Sequence, residues 1–181
     1  MAGSLSRWCR VRTRKAWSPT SSDRWRADVV DVRARLASLG LTLPNVVPPV
    51  ASYVPAVRTG NLVFTAGQIP LVDGQLPCSG RVGETVTPEQ GQQMAQVCAL
   101  NALAAVTTVA DLDSIVRIVK VVGFVASAPD FSGQPVVVNG ASDLLKSLFG
   151  DAGAHARSAV GVVSLPLNAP VEVELVVEVS G

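Results

Sequence analysis

The amino-acid sequence predicts an α+β fold, with two helices laid over one face of a single β-sheet. Three observations carry that prediction. In the closing segment "VEVELVVEV" the odd positions 171 to 179 are all apolar, while Glu172, Glu174 and Glu178 fall on even positions. That is the two-residue period of a strand with one buried face. In "TPEQGQQMAQVCALNALAAV", Thr87 can cap a helix, Pro88 fits its first position and Gln90 completes a capping box. Finally, strand-like and helix-like segments succeed one another in the order helix, β-β-α-β-α-β-β.

Each element has its own justification. Val29, Val32, Leu36 and Leu39 recur at helical spacing ahead of Gly40, which predicts a short additional N-terminal helix. "LPNVVPPVAS" is a proline-rich connector. "YVPAVRTGNLVFTAGQIP" predicts two strands turning at Thr59-Gly60-Asn61, and "LVDGQLPCSGRVGE" a loop. In the capped helix Met94, Val97, Cys98 and Ala105 share a face. "SIVRIVKVVGFVA" is dense in β-branched residues and predicts a strand. Val137, Ala141, Leu144, Leu145 and Leu148 mark a second core helix stopped by Gly150. "RSAVGVVSL" and "VEVELVVEV" are the last two strands. Two helices cover only one sheet face, so the other is expected to be buried against further subunits.

Composition narrows the function. The chain has 181 residues, 48% of them hydrophobic and 16% charged, which suits one globular domain. No apolar run approaches the ~18 residues of a membrane-spanning helix. Residues 1–26 hold seven of the fifteen basic side chains and one acid, Asp23, so they read as a basic leader: a targeting segment, a nucleic-acid arm, or dispensable upstream sequence. Residues 27–181, the expected single domain, carry eight basic against thirteen acidic groups. That acidic balance argues against nucleic acid as a partner. Cys9, Cys78 and Cys98 form no C-x-x-C pair, which indicates neither a disulfide framework nor a zinc site and fits a reducing cytoplasm. A single histidine, His155, excludes metal clusters built from several.

Few side chains remain for chemistry. No G-x-S-x-G elbow supports a serine triad around His155, and no phosphate-loop or dinucleotide motif is present. Arg157 heads an apolar run with no carboxylate anywhere from Ala152 to Val171. A guanidinium stays charged at any ordinary pH. It must therefore face water, pair with a distant residue such as Glu172 or Glu174, pair with another subunit, or await the carboxylate of a ligand. Glu172 could act as a general acid or base if a pocket raised its pKa, or could sit on a solvated strand face. Asn139 could hold a polar ligand atom or cap a helix. Tyr53, the only tyrosine, could line a site or simply pack, and His155 is expected in the turn before a strand as a surface or packing residue.

"YVPAVRTGNLVFTAGQIP", "VVNGASDLLKSLFG" and above all "ARSAVGVVSLPLNAPVEVE" resemble the RidA/YjgF family over about residues 30 to 180. These are reactive-intermediate (enamine/imine) deaminases, also described as L-PSP endoribonucleases or translation inhibitors. The resemblance implies a chorismate-mutase-like α+β fold and a homotrimer with small-molecule clefts between subunits. It implies that Arg157 binds a substrate carboxylate and that Glu172 positions the water that hydrolyses the imine. Tyr53, Asn139 and backbone groups near Gly67 and Ala159 would complete the pocket, and neither cofactor nor metal would be needed. Two positions depart from the deaminating branch: Ala66 stands where Ser is usual and Ala159 where Cys is usual. The longer N-terminal helix, the "LPCSGRVGE" loop and "GAHARSAVGV" resemble a less characterised branch. A non-catalytic trimer binding a small carboxylated metabolite or a protein partner is the alternative function, and endoribonuclease the third.

Overall fold

The computed structural model describes residues 31–46 and 52–181. The basic leader, Val29 and part of the proline-rich connector lie outside them. The first element, α1 (Val32–Ser38), begins where the Asp31 carboxylate accepts the Ala34 N–H at 2.8 Å. Val32 and Leu36 are buried as the spacing required. Leu39, read as part of the same apolar face, is instead 49% exposed because the helix has already ended and Leu39 is its C-cap.

Strands β1 (Ala56–Thr59) and β2 (Leu62–Thr65) pair antiparallel across a two-residue turn, with Gly60 at φ +57°. Helix α2 (Pro88–Val106) carries the predicted capping box: Thr87 Oγ1 accepts the Gln90 N–H at 3.2 Å, and Gln90 Oε1 accepts the Thr87 N–H at 2.9 Å. Then come β3 (Ile115–Ala126), α3 (Gln134–Phe149), β4 (Ala156–Val162) and β5 (Val171–Val179). The five strands form one mixed sheet in the order β1-β2-β5-β3-β4. All neighbours are antiparallel except β3 and β4, whose parallel pairing needs a crossover, and α3 supplies it. The α+β architecture anticipated from the sequence, with two helices over one sheet and a short additional N-terminal helix, is the one observed.

The core lies between the helices and one sheet face. Val63, Ile118, Val121, Val125 and the odd residues of β5 meet Cys98, Leu103, Val106, Val137, Leu145 and Leu148 there, each fully or almost fully buried. Burying each such leucine contributes roughly 1.5–3 kcal/mol. Close contact between α2 and α3 depends on Gly140, where an added Cβ would collide with the backbone carbonyl of Gln92.

The opposite sheet face has no layer over it among the described residues. Register places Phe64, Lys120, Val122, Phe124, Val160 and Val176 on it, together with Glu172, Glu174 and Glu178. Phe64 is 42% and Val160 44% exposed there.

Candidate functional site

Strand β4 is an edge of the sheet, and its ladder with β3 sets where Arg157 points. Arg157 pairs with Val121, a buried residue of the helix-covered face, so its side chain leaves the sheet toward α3. There, Asn139 and Ser142, one helical turn apart, grip one end of the guanidinium. Arg157 Nη1 donates to Asn139 Oδ1 at 2.8 Å and to Ser142 Oγ at 3.1 Å. Both acceptors are neutral. Among the described residues Arg157 forms no ion pair; the one salt bridge found there joins Arg117 Nε to Glu178 Oε2 at 2.7 Å. The expected structural pairing with Glu172 or Glu174 is therefore not made. With both Nη1 hydrogens engaged, the Nε–Nη2 edge carries the remaining donors, the edge suited to a forked contact with a carboxylate.

Asn139 lies inside α3 and not at its end, so the helix-capping reading is replaced by a role in holding Arg157. Ala159 shares the helix-side parity of Arg157, pairing with Gly123.

Glu172 stands on the other face. It pairs with Phe124 on β3, and β5 alternates with its odd residues buried. Its carboxylate lies against Gly67, at the place a Cβ would fill, so only glycine admits it. Burial raises the pKa of Glu172 above the ordinary carboxylate value, and the charge of Glu174 raises it further. Glu178 is neutralised by Arg117, whereas the Lys120 ammonium is turned to Ser158 Oγ at 3.0 Å. Glu172 is thus half-buried against Gly67 with its proton affinity raised. A solvated strand face does not describe it.

The structure brings Arg157 together with Asn139, and Glu172 together with Gly67. It does not bring the two pairs together within one chain, because they project from opposite faces of the sheet. Tyr53, 52% exposed just ahead of β1, joins neither pair and is not the packing residue its type suggests. His155 does precede β4, and it is bonded to Ser142. Ser142 was missed from the sequence; its place three residues after Asn139 on the same helix face was the available signal. Cys98 is fully buried, and burial, with the Glu172 charge second, holds its thiol well above the usual range and protonated. A separate recess of about 370 Å³ opens over α2 and α3 beside Leu39 and Leu41, and none of the predicted site residues lines it. No group of three or more metal-ligating side chains occurs among the described residues.

Residues 33–179 match the profile of a family described as YjgF/chorismate mutase-like, for which endoribonuclease activity has been suggested. Protein TCP17 of Trypanosoma cruzi is 42% identical over 151 residues, spanning 82% of this chain and 94% of its own. The 2-iminobutanoate/2-iminopropanoate deaminase of Dermatophagoides farinae is 33% identical over 137 residues, 76% of this chain and 93% of its own. The crystal structure of protein Atu1372 from Agrobacterium tumefaciens, a protein of unknown function, superposes with a TM-score of 0.75. It is 44% identical and covers 83% of this chain and 94% of its own.

Proposed function

This chain belongs to the YjgF/chorismate-mutase-like family, and we propose that it is a hydrolase converting 2-imino or enamino acids to 2-oxo acids with release of ammonia. One observation carries the reading: a permanent cation is fixed to α3 through one nitrogen, without a carboxylate of its own chain among the described residues. Arg157 is half-buried, so it gives up part of its hydration without gaining a counter-charge, and a substrate carboxylate would supply one. The relative named as a 2-iminobutanoate/2-iminopropanoate deaminase supports the same chemistry.

In that reaction Arg157 takes the carboxylate through Nε and Nη2, which fixes the adjacent C=N carbon. Water adds to this carbon and a proton goes to nitrogen. The resulting carbinolamine then loses ammonia as its C–N bond breaks, leaving the 2-oxo acid. Glu172, with its raised pKa, is suited to orient the water and accept its proton. Since Arg157 and Glu172 occupy opposite faces of one sheet, the complete site requires more than one copy. A homotrimer with clefts between subunits meets that need, with Tyr53 reaching in from a neighbour. The free thiols of Cys78 and Cys98 suit a cytoplasmic, reducing setting. Among the described residues no helix is long and apolar enough to cross a membrane.

The test is ammonia and 2-oxo acid release from imino acid generated in situ. Purified protein should accelerate it and Arg157→Ala should not; failure to accelerate with several imino acids defeats the reading. The in-chain separation of Arg157 and Glu172 favours one competitor, carboxylate binding without turnover. Thermal stabilisation by 2-oxo acids, lost in Arg157→Ala and unaccompanied by catalysis, would identify it.

A further inference from the structure

The chain's one histidine is linked to Arg157 through a single hydroxyl. His155 Nδ1 lies 2.6 Å from the Gly153 carbonyl oxygen, and His155 Nε2 lies 3.0 Å from Ser142 Oγ. That same oxygen accepts from Arg157 Nη1 at 3.1 Å. The two ends of this line cannot reverse roles: a carbonyl oxygen only accepts, and a guanidinium only donates. When the ring is neutral, every proton between them is thereby assigned. Nδ1 must carry a hydrogen to meet the carbonyl. The neutral ring then offers a bare Nε2, which receives the Ser142 hydroxyl proton, and the serine oxygen keeps its lone pairs for the guanidinium.

We propose that His155, as its Nδ1–H tautomer, is a positioning residue that acts through Ser142 to aim Arg157 at a carboxylate. The inference rests on the reading of Arg157 as the carboxylate anchor. Arginine has a long side chain with many rotamers, and binding is strongest when its fork is already oriented. Asn139 fixes one Nη1 hydrogen by itself. The second depends on the rotamer of Ser142, and a serine within a helix readily turns its hydroxyl to the carbonyl four residues earlier. His155 supplies the acceptor that draws the hydroxyl away from the helix. It comes from the turn that leads into β4, and so fastens the start of the strand carrying Arg157 to α3.

The test uses intact protein and has two readouts. Since the chain holds one imidazole, its ring nitrogens can be followed by NMR without ambiguity. At mildly alkaline pH the wild-type ring should carry its proton on Nδ1. Titration with pyruvate should perturb the ring resonances, and Ser142→Ala should abolish that response. A ring protonated on Nε2 overturns the proposal whether or not any ligand binds. In kinetics, Ser142→Ala and His155→Ala should each raise KM for an imino acid about tenfold with kcat little changed, the scale of one lost charged hydrogen bond. The double variant should be no worse than either single one, because the histidine acts only through the serine. His155→Gln, whose amide oxygen can replace Nε2 as acceptor, should recover most of the loss. Its thermal midpoint, compared with that of His155→Ala, controls for misfolding. Additive losses, an unchanged KM or a fall confined to kcat overturn the proposal. Wild-type protein that turns over normally, with both variants unaffected, defeats this inference alone. Wild-type protein indifferent to pyruvate and indistinguishable from Arg157→Ala defeats the anchor reading as well.

Discussion

At the scale of single residues, Arg157 and Glu172 differ in how far they could be read in advance. The missing local partner of Arg157 was visible as a run without acids, and among the described residues it stays without a carboxylate. Its actual partners, Asn139 and Ser142, were hidden because nothing in a helical sequence says which neighbouring strand a polar turn will meet. Shape as well as charge should matter at this position. Arg157→Lys keeps the cation but loses the fork, so 2-oxo acid affinity measured by calorimetry should fall at least about tenfold. For Glu172 the prediction concerns pH. Burial first, and the Glu174 charge second, raise its pKa. In the proposed role of base it would work ionised, so kcat should decline as pH falls through that raised value. Glu174→Gln removes the like charge, lowers the pKa of Glu172 and should shift the acid limb of the profile to lower pH. A limb that stays put, or moves upward, would mean another group titrates.

At the scale of elements, local chemistry was the most legible part of the sequence. The capping box at Thr87, the turn at Gly60 and the stop at Gly150 are each decided by a few adjacent residues, and each appeared where expected. Thr87→Ala should therefore cost about 1 kcal/mol in chemical denaturation. Close approaches between elements carry no such local signature. Gly140 resembles any helical glycine until α2 is seen against it. Gly140→Ala should destabilise the protein by about 3 kcal/mol, since a backbone carbonyl blocks the new methyl and the helices must separate. Gly67→Ala tests the opposite case. Its Cβ meets the flexible end of Glu172, which can swing aside, so the unfolding midpoint should hardly move while kcat drops.

At the scale of the whole molecule, the sequence announced that two helices could not cover both sides of the sheet. Which site residue took which side was not legible. Alternation gives parity within a strand only, and the relation between β4 and β5 is fixed through β3, parallel to one and antiparallel to the other. The exposed face, with Phe64 and Val176 paired across β2 and β5, is where association is expected. Wild-type protein should therefore sediment as an oligomer and Phe64→Asp as a monomer, and the proposed activity should disappear with the assembly even though Arg157 and Glu172 are both intact. The strand order has a last implication for how the molecule comes into being. β5, the last strand, sits at the middle of the sheet and, among the described residues, is the strand whose ladders join the β1–β2 hairpin to the β3–β4 unit. During synthesis those two parts must wait, each with an apolar edge uncovered, until residue 179 has emerged, so the nascent protein has reason to depend on chaperones over that interval.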